Sequence, residues 1–281
     1  MTEGSWGIGS SRYKKRPSQR LAEPPPSPPN ATSADRLADL GFTWDSSAVP
    51  WRAMPTMEVP RALARFQNQL AGHVWDAAAL EGNPYTLPEV QTLLEGVTVG
   101  GHRLDDEKQV LALADSTRML HDLVQDGTFK PHKSVSDRIH GLVAPHEAIE
   151  AGHFRGEGSV RGGGTVNLGE YGTFKSTGCE DSGEALRVEY ELGLAHLETI
   201  EDATERAVAY FCFGTRHQFY FDGNKRTSRL MMNGILLSSG QNAISIPFSR
   251  RLEFNQHLIT LFLDANATSL MEFIIDCRPE D

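Results

Sequence analysis

Residues 222 to 229 gather the side chains best suited to chemistry: Asp222, Gly223, Asn224, Lys225, Arg226, Thr227, Ser228 and Arg229. A Gly-Asn turn here opens an amphipathic segment running to Ser239, so the first turn of a helix presents backbone N–H groups that no earlier carbonyl can satisfy. The positive end of the helix dipole reinforces those donors, and such ends bind phosphate. Lys225 falls inside that turn. Arg226 and Arg229 are three residues apart, hence on one face, where planar guanidinium forks can grip successive phosphates. Two arginines at a helix N-terminus run against the dipole, which makes sense with an anion nearby. Asp222, just before the turn, can hold Mg²⁺ bridging phosphate oxygens. Taken singly, each feature also fits an ordinary surface charge or turn residue; the combination is what points to a phosphate site.

The segments that must position this stretch read as mainly helical. Leu63, Phe66, Leu70 and Val74 recur at three- and four-residue steps, predicting a helix from about Val59 to Glu81, stopped by Gly82, Asn83 and Pro84. Thr86 to Glu89 has the form of a capping box and opens a second helix to about Glu95. Further helices are expected at 104–125, 134–142, 182–200, 203–216, 224–239, 253–264 and 269–277. The stretch from His153 to Phe174 is too rich in glycine for a helix and reads as a mobile hairpin or flap.

The bulk composition narrows the function classes. Apolar residues make up 39% and charged residues 23% of 281 residues, enough for one large domain or two modest ones. A formal net charge of -10 argues against a broad grip on nucleic acid, so an anionic ligand must be held locally. Cys179, Cys212 and Cys277 are widely spaced and form no disulfide or zinc pattern. The chain reads as cytoplasmic, with neither a membrane span nor a secretory segment. Residues 1–34 read as a disordered tail, with a basic cluster from Arg12 to Arg20 followed by prolines at 24–26, 28 and 29. Residues 35–100 read as an N-terminal helical region and 101–281 as the core domain.

The run from Asp222 to Arg229 resembles the second half of the Fic-family motif, His-Pro-Phe-x-Asp/Glu-Gly-Asn-Gly/Lys-Arg-x-x-Arg, over a similarity spanning about residues 60–277. The resemblance implies a Fic-fold helical bundle with a small β-hairpin flap at 153–174. It also implies an ATP- and Mg²⁺-dependent transferase that moves AMP onto a Ser, Thr or Tyr hydroxyl of a protein, itself among the candidates. By the same resemblance Asp222 would hold Mg²⁺, Gly223, Asn224 and Lys225 would form the anion hole, and Arg226 and Arg229 would bind the phosphate chain. Ala77 to Glu81 resembles the family's inhibitory helix, so Glu81 is expected to pair with Arg229 and block the γ-phosphate. The stretch around His153 and Arg155 corresponds to the flap that aligns the target segment as an added strand.

One departure bears directly on activity. The family's histidine position falls on Gln218, which cannot act as a base, and His217 lies one residue out of register. Either a one-residue insertion lets His217 swing into the site, or Gln218 replaces the histidine and transfer is slowed. A structural His217 capping its helix is the plain alternative. The alternatives in function are a catalytically silent nucleotide-binding or protein-interaction module, and a kinase-like transfer of the γ-phosphate, raised by Lys225, whose point charge suits either orientation of ATP.

Overall fold

The computed structural model describes residues 32–180 and 182–280. The expectation of a disordered tail at 1–34 therefore lies almost wholly outside the described residues. In chain order the helices are α1 (Ser33–Leu40), α2 (Val59–Asn68), α3 (Leu70–Leu80), α4 (Leu87–Leu94), α5 (Leu104–Gln125) and α6 (Lys133–Val143). After strands β1 (Thr165–Asn167) and β2 (Thr173–Lys175) come α7 (Glu184–Glu198), α8 (Ala203–His217), α9 (Asn224–Ser238), α10 (Arg251–Asp264) and α11 (Thr268–Asp276). The two strands form an antiparallel hairpin in which Val166 faces Phe174.

Helix α9 sits at the centre: every residue from Arg226 to Leu237 is buried. A helix enclosed on all sides is normally apolar throughout, so the polar residues on this one need partners or a purpose. Asn233 has a structural partner, exchanging two hydrogen bonds with the backbone of Ile244 at 3.0 and 2.9 Å. Helix α8 packs beside α9, and α6, α5 and α2 close around it. Leu63, Phe66, Leu70 and Val74, the stripe that predicted a helix from about Val59, are all buried in the same apolar cluster.

Three local features differ from the sequence reading. The single helix expected from Val59 to Glu81 is two helices meeting at Gln69, whose N–H is shared between the carbonyls of Arg65 and Phe66. Helix α1 begins at Ser33, inside the stretch read as tail, because Thr32 and Asp35 form a reciprocal capping box and Gly41 closes the C-terminus at φ 75°. The hairpin occupies only 165–175, and the glycine-rich chain before it is irregular. Among the described residues no helix is long and apolar enough to cross a membrane.

Candidate nucleotide-binding site

The turn that opens α9 is locked from several sides. Gly223 takes φ 74°, and a Cβ there would lie 3.0 Å from the Ala144 methyl and 3.3 Å from His140 Nε2. Its N–H donates to Asp222 Oδ1 at 2.5 Å. The Asn224 carboxamide is used internally: its Oδ1 accepts from Tyr220 N–H at 2.9 Å, and its Nδ2 donates to Tyr220 O at 2.8 Å. Asn224 therefore offers a ligand only its backbone N–H. Among the described residues no protein acceptor meets the N–H groups of Asn224, Lys225 or Arg226. These are the free first-turn donors of α9.

The cations around this turn already face carboxylates. Lys225 Nζ lies 3.2 Å from Glu81 Oε1. Arg226 forms a two-pronged pair with Glu147, both bonds at 2.8 Å, and has Asp222 Oδ1 at 3.5 Å. Burial pushes the Glu147 carboxyl up, but the hydrogen bond and charge of Arg226 outweigh it, leaving a net lowering. Arg229, one turn deeper, is enclosed: its Nε, Nη1 and Nη2 are all buried without a hydrogen-bond partner among the described residues. Burial lowers its proton affinity, opposed by the nearby charges of Glu81 and Asp76.

The expected Glu81–Arg229 pair is thus corrected. Glu81 meets Lys225 instead, because Lys225 stands in the first turn with its side chain one-third exposed at 34%, whereas Arg229 is buried one turn further along α9.

His217 and Gln218 separate at the end of α8. Gln218 adopts φ 51°, so the chain turns sharply after His217. His217 stays on the helix, its Nδ1 3.0 Å from Glu189 Oε2 and its Nε2 2.9 Å from the Leu40 carbonyl. The structure does not bring it to the cavity beside α9; it joins α8 to α7 and to the end of α1. Gln218 lines that cavity. Its Nε2 donates to Thr215 O at 2.6 Å, and its Oε1 accepts from Asn224 Nδ2 at 3.2 Å.

The cavity measures about 680 Å³. Its polar wall is Glu81, Gln218 and the turn from Asp222 to Arg226. The rest of the lining includes β1 with Leu168 and Gly169, and the α10 residues Asn255, Leu258, Ile259 and Phe262. Arg155 fixes the flap to this wall. Fully buried, it donates to Gln218 O at 2.6 Å, Gly162 O at 3.1 Å, Ser176 Oγ at 2.9 Å and Thr177 O at 3.0 Å. It is a staple facing away from solvent, whereas His153 is exposed.

Among the described residues no group of three or more His, Cys, Asp or Glu is arranged to cage a metal ion. Asp222 nonetheless fits Mg²⁺, which takes one or two protein carboxylates and fills its shell with phosphate oxygens and water. Its side chain is 60% exposed on the cavity wall, with only Oδ1 bonded.

None of the known protein-family models matches the chain. The protein named "Protein adenylyltransferase Fic" from Drosophila melanogaster is 30% identical over 211 residues, covering 73% of this chain and 40% of that protein. Its namesake from Drosophila virilis is 29% identical over 248 residues, covering 86% and 47%. A Fic-domain signalling protein from Bacteroides thetaiotaomicron superposes with a TM-score of 0.63 at 20% identity, covering 81% of this chain and 89% of that one. Fic-1 from C. elegans superposes at 0.60 with 18% identity, covering 78% and 68%. The chain belongs to the Fic family.

The match spans less than half the length of these curated relatives. In this Fic protein the contiguous motif residues Asp222 to Arg226 gather on one cavity with Gln218 and Glu81, while Arg229 lies behind them. Sequence reasoning did not find Glu147 or His140, which hold the turn from 79 and 82 residues away. No local pattern marks either one. The α10 wall was recognised as a helix but not as part of the site; its Leu258–Ile259–Phe262 spacing is the signal that could have shown it.

Proposed function

We propose that this Fic protein binds ATP at the Asp222–Arg229 turn and transfers AMP slowly to the hydroxyl of a protein side chain, with Glu81 as a restraint. The observation that carries the reading is one cavity containing the free N–H groups of α9, Lys225, Arg226 and the flap. Names of relatives at about 30% identity support the same class of reaction. In that reaction the hydroxyl oxygen bonds to the α-phosphorus, the bond to the β-phosphate bridging oxygen breaks, pyrophosphate leaves and the hydroxyl proton is lost. Nucleotidyl transfer depends chiefly on positioning and charge neutralisation, which the helix N-terminus, Lys225 and Arg226 supply. Asp222 is the residue that would hold Mg²⁺, whose part is to neutralise phosphate charge.

Proton removal is the weak step. Gln218 occupies the family's histidine position, is neutral, and has both amide atoms engaged. Loss of a general base costs roughly 10²–10⁴ in rate. The restraint is electrostatic: with Glu81 on Lys225 a triphosphate must displace a carboxylate to reach that cation. A second reading, nucleotide binding without transfer, is favoured by the same locked Gln218 and by His217 being tied to Glu189 and Leu40.

Glu81→Gly protein with Mg²⁺ and ATP labelled separately at the α- and γ-phosphates discriminates among these. Label from the α-position on protein is the expected result. Label from the γ-position alone would establish kinase-like transfer, and bound ATP with no transfer would establish the silent module.

A further inference from the structure

His140, on α6, is fully buried and makes three contacts with the phosphate turn and its surroundings. Its Nδ1 accepts the Gly152 N–H at 2.8 Å, which requires an unprotonated nitrogen there. The proton of the neutral ring is therefore on Nε2, which donates to the Asp222 carbonyl at 2.8 Å. The ring lies flat on Tyr220, centroids 3.8 Å apart and planes 6° from parallel. Tyr220 is itself fixed to α6, donating to Asp137 Oδ1 at 2.9 Å, with Ser136 Oγ at 2.8 Å.

The Asp222 carbonyl belongs to the peptide that ends in the Gly223 N–H. Pinning that oxygen fixes the plane of the peptide leading into Gly223, the left-handed residue after which the free donors of α9 begin. The bond also holds the backbone of Asp222 while its carboxylate stays on the cavity wall. His140 is too deeply buried to meet a nucleotide, yet it sets the groups that would.

We propose that His140 is a positioning residue for phosphate recognition, acting through the Asp222 carbonyl, an assignment that rests on the nucleotide reading above. The full chain carrying Glu81→Gly serves as the reference, and the measurement is calorimetric affinity for ATP with Mg²⁺ and for adenosine, which has no phosphates. His140→Asn can keep an acceptor for Gly152 but has no donor reaching Asp222. His140→Gln can place an N–H near the former Nε2 position.

His140→Asn is expected to weaken ATP binding roughly tenfold, the worth of one lost buried hydrogen bond, while adenosine affinity holds. His140→Gln is expected to recover most of the ATP affinity. Equal loss for ATP and adenosine, no loss for ATP, or no difference between the two variants would overturn the assignment and leave the nucleotide reading standing. A folded reference protein that binds no ATP overturns both. Because both variants are compared after their melting temperatures are measured, an unfolded His140→Asn is replaced by Tyr220→Phe. That variant keeps the ring but cuts the bond to Asp137, and it is expected to lower ATP affinity without affecting adenosine; unchanged ATP affinity there also overturns the proposal.

Discussion

At the end of α8 the chain leaves the helix through a left-handed residue, and this torsion separates two neighbouring side chains. Adjacent helical residues point about 100° apart; the φ of 51° at Gln218 widens the separation. His217 remains with α7 and α1, and Gln218 meets the cavity. A non-glycine residue in this region costs on the order of 1 kcal/mol. Here two Arg155 bonds hold the turn, one to the carbonyl of Gln218 and one from the Arg155 N–H to Phe219 O at 2.8 Å. The charges are matched as closely as the backbone is held. Lys225, Arg226 and Arg229 stand against Glu81, Glu147 and Asp222, so the seat carries little net charge without a ligand. The contiguous residues of this seat were legible in the sequence, since a turn and a helix start fix their relative places. The partner of Glu81 was not, because choosing between Lys225 and Arg229 depends on how deeply α9 is buried.

Among the elements, the flap draws its polar anchoring largely from Arg155, while Phe174 packs on Phe262 and under Arg216. Arg155 is buried and, among the described residues, meets no carboxylate in hydrogen-bond contact; it satisfies three carbonyls and a hydroxyl, joining the glycine-rich segment, β2 and the α8 terminus. Arg155→Met leaves those acceptors unpaired and is expected to cost about 2–4 kcal/mol, read as a lower urea midpoint. The same change should speed proteolytic cutting within 156–176. An unchanged midpoint and cutting rate would show that the flap is held by something else. Periodicity found the long helices because a buried stripe repeats every three to four residues, as α5 at Leu104–Gln125 illustrates. It missed α1, a short helix whose only strong signals are the Thr32–Asp35 box and Gly41. It could not narrow the hairpin to 165–175, since three-residue strands among glycines leave almost no alternation to read.

For the whole molecule, the buried histidine on α6 ties stability to pH. Burial pushes the His140 imidazole down to about 4, while an unfolded histidine titrates near 6.5. Between those values the unfolded chain binds more protons, so stability falls as pH drops from about 6.5 to about 4 and levels off below. The contribution at neutral pH is about 3 kcal/mol. Urea midpoints measured across pH 8 to 4 are expected to fall more steeply in the native chain than in His140→Gln; parallel curves would remove His140 as the cause.

On the proposed reading, the cavity beside α9 seats a nucleotide for transfer, with Gln218 where the family has its histidine base. The most direct measurement is the rate of AMP transfer by Gln218→His in the Glu81→Gly background. A rise of roughly 10²–10⁴ is predicted, the usual worth of a general base, with His217→Ala leaving that rate unchanged. An unaltered rate, or transfer abolished by His217→Ala, would show that Gln218 does not stand at the base position.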